Sequence, residues 1–571
     1  MPNELGGPGA GPSDFLCTAA SRHLPRESVN TYVYLRLYDI MMAIEEEVRT
    51  MPEPKFIPCM QDQPMLLPPD VGDLVPEGSM ARVVDMVVRS IDRSTLTSLY
   101  PGGGAPAHDP QMMLKVILLA YASGIYSSRR IAQATRENVG FLWICGMRPL
   151  DHMTINRFRT ERVRPVFEEV FSEVIQLLAD MGLVTLDTYF LDGTKMEANA
   201  NRFTFVWAKS TKRYKERLRA RVHAHLAAID EMCDEEEALA PDDPAEVDSE
   251  AIAEAARRIN ERIRDKGVGK RPKDEEGKAL RKASRMLEGE WGERMERYEE
   301  QEEVLAGRGS YSKTDRDATF MRMKEDSLTN QTKPGYNVQA GTEGQFILDV
   351  TCHQRPNATA CTIEHLEHAR ETIGHLPSEI VADAGYGSEQ NYAWLEEQGC
   401  DAYVKHNEFF RECRNKRWRE DPMRPANWEH DEESDTYACP GGRTLSFRRE
   451  KTTRSELGCE SVTRIYVGEG CPECPLRRRC FRSKKEDAVR VLRVNPVLDA
   501  FRARASEMLR TERGSALRKQ RSVDVETIFG DIKCNWGFRR FLLRGLEKVD
   551  HEMRMVAMGH NIRKLAYALA V

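Results

Sequence analysis

The sequence predicts an α/β protein: a mixed sheet flanked by helices, preceded by an all-helical region and broken by a helical insertion. Three observations carry this. Apolar residues recur at three- and four-residue steps from Met80 to about residue 180, and after Leu183 the texture changes to alternating β-branched and aromatic residues. From Lys209 to about Arg308 a highly charged stretch keeps its apolar residues at helical spacing.

Residues before 75 are Pro- and Gly-rich at both ends, with one short amphipathic segment around Tyr32 to Val48, and read as a loosely held arm. Val83, Val84, Val87, Val88 and Ile91 then mark a helix that Pro101-Gly102-Gly103-Gly104 ends. Gln111 to Tyr121 is an apolar helix, Ser123 to Tyr126 a turn, and Ser127 a cap for a further helix carrying Arg129, Arg130 and Arg136. Another helix begins near Asp151 in DHMTINRFRTERV. The succession suits a helix-turn-helix unit whose late helix, with Thr154, Asn156, Arg157 and Arg159, enters a DNA groove; a plain helical bundle with a basic face is the alternative.

VTLDTYFLDGT reads as a buried strand delivering an acid, Asp192, at its C-terminal tip. Leu218, Val222 and Ile229, then Ile252, Ile259 and Ile263, then Leu287, Trp291 and Tyr298 divide the charged stretch into about three helices of a coiled-coil-like insertion. Strands return at Tyr336–Ala340, Phe346–Cys352, Glu379–Ala382 and Asp401–Lys405, with a helix from about Thr362 to Ile373.

A chain of 571 residues exceeds one core and implies several domains. No apolar run approaches the roughly 20 residues of a spanning helix, and no secretory leader is visible, so the expected setting is the cytoplasm, where the 14 cysteines stay reduced. The net charge of −7 hides an uneven distribution: Arg477 to Val571 holds 23 Lys and Arg against 11 Asp and Glu, while Asp234 to Glu237 is wholly acidic. The basic C-terminal region suits a polyanion.

Asp192 in LDGT, Asp383 in VADAGYGS and Glu526 in RSVDVETIFGDIKCNWGFRR are the candidate reactive acids. Three carboxylates at one point repel unless cations neutralise them, and hard oxygen ligands suit Mg²⁺ or Mn²⁺, with two ions able to serve an in-line phosphoryl displacement. Cys439, Cys471, Cys474 and Cys480, in YACPGG and CPECPLRRRC, are candidate ligands for a structural Zn²⁺, with Cys413 and Cys459 as rivals and inert thiols as the alternative. The adjacent Arg477, Arg478, Arg479 and Arg482 suit phosphate. No phosphate-binding loop or Ser/His/Asp arrangement points elsewhere.

LDGTKMEANANRFTFVWAKS, NQTKPGYNVQAGT, EIVADAGYGSEQNY and VETIFGDIKCNWGFRRFLLRGLEKV, in that order, resemble the insertion-sequence DDE transposases of bacteria, and MMLKVILLAYASGIYSSRRIAQATRENVGFLWICG resembles their N-terminal helical domain. The resemblance implies a ribonuclease H-like catalytic core with Asp192, Asp383 and Glu526 as metal-holding catalytic acids. It further implies DNA contacts from Lys195, Arg521, Lys533, Arg539 and Arg540, besides Arg157 and Arg159 of the helical domain. Tyr336, Asn337 and Gln339 are read as structural. The expected partners are double-stranded DNA, as inverted-repeat ends and as target, and a second copy of the chain on that DNA, with the nucleoid as the place of action. A nuclease that cuts without joining and a non-catalytic DNA-binding descendant are the alternatives. The expected organisation is an arm over 1–78, a helical DNA-binding domain over 79–180, a catalytic core over 181–208, 309–410 and 490–571, a helical insertion over 209–308, and a Cys-rich insertion over 411–489.

Overall fold

The computed structural model describes residues 70–100, 107–233, 238–323, 331–455, 458–481, 483 and 485–570. The Tyr32 to Val48 segment, the rest of the arm up to residue 69, the break at Pro101 to Gly104, the acids Asp234 to Glu237, and Arg482 lie outside the described residues. The arm's last residues are not loose. Asp70 caps a short helix, Val71–Leu74, and Arg82 donates to the carbonyls of Gly72 and Val75.

The expected helices of the N-terminal region form. Met80–Ser90 buries Val83, Val84, Val87 and Val88. Pro110–Ala122 starts on the Asp109 carboxylate, which accepts from the Met112 N–H at 3.0 Å, with Pro110 in the first turn where no N–H is needed. Ser128–Glu137 follows Ser127, although the Ser127 side chain makes no capping bond. The helix after Asp151 spans only His152–Arg157 before a π turn, Phe158–Arg162.

The strands are β1 (Thr188–Glu197), β2 (Phe205–Trp207), β3 (Ser310–Ser312), β4 (Thr319–Arg322), β5 (Thr332–Glu343), β6 (Phe346–His353), β7 (Glu379–Ala382) and β8 (Asp401–Val404). A six-stranded mixed sheet runs β4-β5-β1-β7-β8, with β6 also paired to β5. β1 is antiparallel to β5 and parallel to β7, and β7 is parallel to β8. Gly344 and Gln345, both at positive φ, make the two-residue turn joining β5 to β6.

Helix Leu546–Leu569 is buried along most of its length and packs against both β6 and Pro110–Ala122. A Cβ at Gly559 would meet the Tyr121 carbonyl carbon at 2.8 Å, so only glycine permits that approach. One continuous apolar core consequently runs from Val75 to Leu565, joining the N-terminal helices to the sheet.

The helical insertion has its own core, including Leu218, Val222, Ile252, Ile259, Leu287 and Trp291. Among the described residues it holds four main helices where about three were expected: Ala208–Cys233, Ser249–Asp265, Glu275–Met286 and Gly292–Leu305. The last two are separated by a kink in which Gly289 takes non-helical angles, φ −109° and ψ −106°. The Cys-rich insertion is a five-stranded antiparallel sheet of β9 (Glu429–Asp431), β10 (Thr436–Ala438), β11 (Thr444–Arg454), β12 (Glu460–Gly468) and β13 (Val491–Val494), ordered β13-β12-β11-β10-β9. Because β13 pairs with β12, the insertion extends past residue 489.

Candidate active site

Each of the three acids arrives on a different element. Asp192 lies in the middle of β1, opposite Ala340, because the strand continues to Glu197. The expectation that it ends the strand is thus corrected: pairing with β5 carries the backbone on for five more residues. Asp383 does follow a strand directly. β7 ends at Ala382, and the Asp383 Oδ1 accepts from the Gly385 N–H at 2.7 Å, turning the chain away from the sheet. Leu191 pairs with Ala382 in parallel register, which sets the two aspartates side by side at neighbouring strand positions.

Glu526 sits on helix Glu512–Gly530, which packs against β1, β5, β7 and β8. The buried Asp524 pins that helix: its Oδ1 accepts from Thr342 Oγ1 at 2.7 Å and from the Gln345 N–H at 3.0 Å. Val523 is exposed, whereas Asp524 faces the sheet. An acid at an inward position escapes a reading based on apolar periodicity.

The three carboxylates share one buried cation, Arg521, whose side chain is 5% exposed. Its Nη2 lies 3.3 Å from Asp192 Oδ1 and 3.9 Å from Asp383 Oδ2, and its Nη1 donates to Glu526 Oε1 at 2.8 Å. Asp192 is nearly buried, whereas the Asp383 and Glu526 side chains are about half exposed, so the cluster opens to solvent on one side. Arg521, expected to reach DNA phosphate, is turned inward to balance the acids.

Lys405, which sequence reasoning missed, belongs to the same site. Ala382 pairs with Val404, so Lys405 follows β8 beside Asp383, and its N–H donates to the Ala382 carbonyl. Burial, with Arg521 nearby, pushes the Lys405 ammonium below its ordinary pKa, while Asp383 and Glu526 oppose the shift. Only strand register could have revealed it. Tyr386 donates to Gln339 Oε1 at 2.6 Å, and Gln339 donates to Asn337 Oδ1 at 2.9 Å, tying the Asp383 turn to β5. Asn337, Gln339 and Tyr336 are buried, in keeping with a structural part. Beside the turn, Ala384, Gly385 and Gly387 to Gln390, with Thr453 to Ser455 of β11 and its turn, line an open cleft of about 730 Å³.

The remaining predicted contacts divide by burial. Lys533 is buried, with its Nζ donating to Thr194 Oγ1 and the Lys195 carbonyl. Arg159 is buried and donates to Tyr121 Oη, the Tyr126 carbonyl and Asn156 Oδ1. Both are held by protein atoms, because their long stems lie in the core and their polar ends must find partners there. Arg157, Arg539 and Arg540 remain exposed, although the Arg540 guanidinium also holds the Ala198 and Ala200 carbonyls. Lys195 is partly exposed on β1.

Among the described residues no three His, Cys, Asp or Glu groups form a ready metal cage. At the acids, the Arg521 guanidinium lies within 4 Å of all three carboxylates. The all-oxygen donor set still suits a hard divalent ion in kind. Cys439, Cys471, Cys474 and Cys480 are free thiols at one end of the second sheet. Cys471 Sγ accepts from the Arg490 N–H at 3.4 Å, and burial raises the Cys480 thiol pKa, the other three cysteines adding to the shift.

Two family models match the chain: a transposase domain (DUF772) over residues 69–161 and a transposase DDE domain over residues 438–566. The second spans Glu526 and the four cysteines, while Asp192 and Asp383 lie outside it. No curated protein and no solved structure matches. One match on the N-terminal helices and the other on the Glu526 helix support an insertion-sequence DDE transposase.

Proposed function

We propose that the chain binds the ends of its own DNA element and catalyses strand cleavage and strand transfer with Asp192, Asp383 and Glu526. The observation that carries this is the convergence of all three acids on Arg521, from sequence positions far apart. The strand order, with β1 antiparallel to β5 and parallel to β7, is compatible with a ribonuclease H-like core.

Asp192, Asp383 and Glu526 are the residues to hold a pair of Mg²⁺ or Mn²⁺ ions. Such ions, when bound, lower the pKa of an attacking water or 3′-hydroxyl and neutralise the leaving oxygen. Arg521 keeps three like charges from splaying apart, and Lys405 adds positive charge beside Asp383 where a phosphate would approach. The open side at Asp383 and Glu526 is where the DNA strand enters. Arg157 and the exposed Arg539 and Arg540 supply backbone contacts, and two copies of the chain hold the two ends. Cys439, Cys471, Cys474 and Cys480 are the residues that would hold a structural Zn²⁺, since thiolates in a reducing setting favour metal over disulfide.

The test is cleavage of DNA carrying the element's inverted repeats. Asp192→Asn, Asp383→Asn and Glu526→Gln should each abolish cleavage while leaving end binding within a few-fold of the parent. Undiminished cleavage in all three would remove these acids from the reaction. Metal analysis of the purified chain should find about one zinc equivalent, lost in Cys471→Ser with Cys474→Ser. Its absence from the parent chain would end the zinc assignment.

A further inference from the structure

Phe203 is the most exposed large apolar residue of the described chain, at 77%, and Phe205 and Trp207 follow it at 46% and 37%. The alternation on β2 buries Val206 and turns Phe205 and Trp207 to one exposed face. They are not loose there. Phe205, Trp207 and the buried Phe320 of β4 form a three-ring cluster with centroids 5.6 to 5.9 Å apart, which fixes both exposed rings. The Arg202 guanidinium lies over the Phe203 ring at 5.8 Å.

Charge singles out the same segment. Between Ala198 and Lys215 the chain carries Arg202, Lys209, Lys212, Arg213 and Lys215 and no acid, in a protein of net charge −7. Lys215 is spent internally on Glu299 and Glu302, but Arg202, Lys209, Lys212 and Arg213 are exposed, as is Lys313, whose backbone is bonded to Thr204. Protein-binding patches are depleted in lysine, whereas rigid aromatic rings among cations suit nucleic-acid bases on a tracked backbone.

The position fits a strand running from the acids. Asp192 pairs with Ala340 of β5, and Phe320 pairs with Pro334 at the other end of that strand. At a strand rise of about 3.3 Å per residue, the rings lie roughly 20 Å from Asp192, a span of several nucleotides.

We propose that Phe203, Phe205 and Trp207, with Arg202, Lys212 and Arg213, form a platform on which unpaired nucleotides of the DNA substrate stack. This rests on the DNA-strand reading of the acid site, and it adds a preference for single-stranded over paired bases.

The experiment uses the full chain with a labelled 20-nucleotide oligo(dT) and a blunt duplex of equal length. Phe203→Ala, and Phe205→Ala with Trp207→Ala, should weaken oligo(dT) binding about fivefold or more per ring removed, leaving duplex binding within about twofold. Trp207→Phe should keep the affinity and lose most of the tryptophan quenching caused by oligo(dT). Lys212→Ala with Arg213→Ala should weaken both probes and flatten the salt dependence. Equal losses on both probes, or none on either, would overturn the platform. A changed oligomeric state with unchanged oligo(dT) affinity would assign the rings to a second copy and also overturn it. Failure of the parent chain to bind either probe would instead count against the DNA reading itself.

Discussion

The chain has two strongly basic segments, and the buried cations of the first use their charge in the opposite way to the exposed cations of the second. In the C-terminal segment Arg521, Lys533, Arg554 and Arg563 are buried, and their partners are protein: the acid triad for Arg521, Thr194 and the Lys195 carbonyl for Lys533, Glu168 and Asp550 for Arg554, and backbone carbonyls of Tyr121 and Ala122 for Arg563. In the segment after β1, four of five cations face solvent beside exposed aromatic rings. A surplus of basic residues therefore does not by itself mark a nucleic-acid surface. Where acids are buried nearby, cations follow them inside, because an unpaired charge in the core costs far more than a solvated one.

That contrast can be broken by substitution. The largest effect is expected at Arg521: Arg521→Ala strips the common partner from three carboxylates and should abolish cleavage and cost about 3 kcal/mol of stability, the low end for a buried pair because two of the acids are half exposed. Chemical denaturation showing parental stability would mean that Arg521 does not hold the acids together. Arg554→Ala comes next, with a loss of about 2–3 kcal/mol from Glu168 and Asp550 and no direct effect on cleavage chemistry.

Acid should loosen the fold. Burial holds the His365 imidazole down at about 3 and the His551 imidazole at about 4, while in the unfolded chain both titrate near 6.5. The unfolded state binds more protons between those values, so stability should fall as pH drops below about 6.5. His368, bonded to the buried Asp349, is raised and works in the opposite sense: its contribution is complete below its unfolded pKa and is lost as pH rises through the folded one. Melting temperatures from pH 7.5 to 4.5 should decline, less steeply in His365→Asn; a flat profile would refute buried neutral histidines. The smallest effect belongs to Arg157→Ala, exposed, with stability unchanged to about 0.5 kcal/mol and duplex binding reduced modestly. A large loss of stability there would erase the distinction between buried and exposed cations.

Much of this was legible in the sequence. The helices from Met80, five of the six strands of the mixed sheet (all but β4), the helix Thr362–Ile373 and the three stripes of the helical insertion emerge from apolar periodicity, because each element hides one face. The motifs singled out Asp192, Asp383 and Glu526, which the fold does bring to one cation. Other features left no such trace. The second sheet escaped because β11 buries little beyond Leu445 and shows no alternation to read. Lys405 escaped because its place depends on the parallel pairing of β7 with β8, and Asp524 because a buried acid looks like a surface residue until its hydrogen-bond partners are known.

The amino-acid sequence alone determined the elements, the candidate acids and the family resemblance, since periodicity and short motifs are local properties of the chain. Tertiary structure alone decided which cations serve the interior and which face outward, and that Arg521 would stand among all three acids. Those outcomes depend on which charges meet across the sheet, and electrostatic pairing at a few ångströms is settled by folding, not by spacing along the chain.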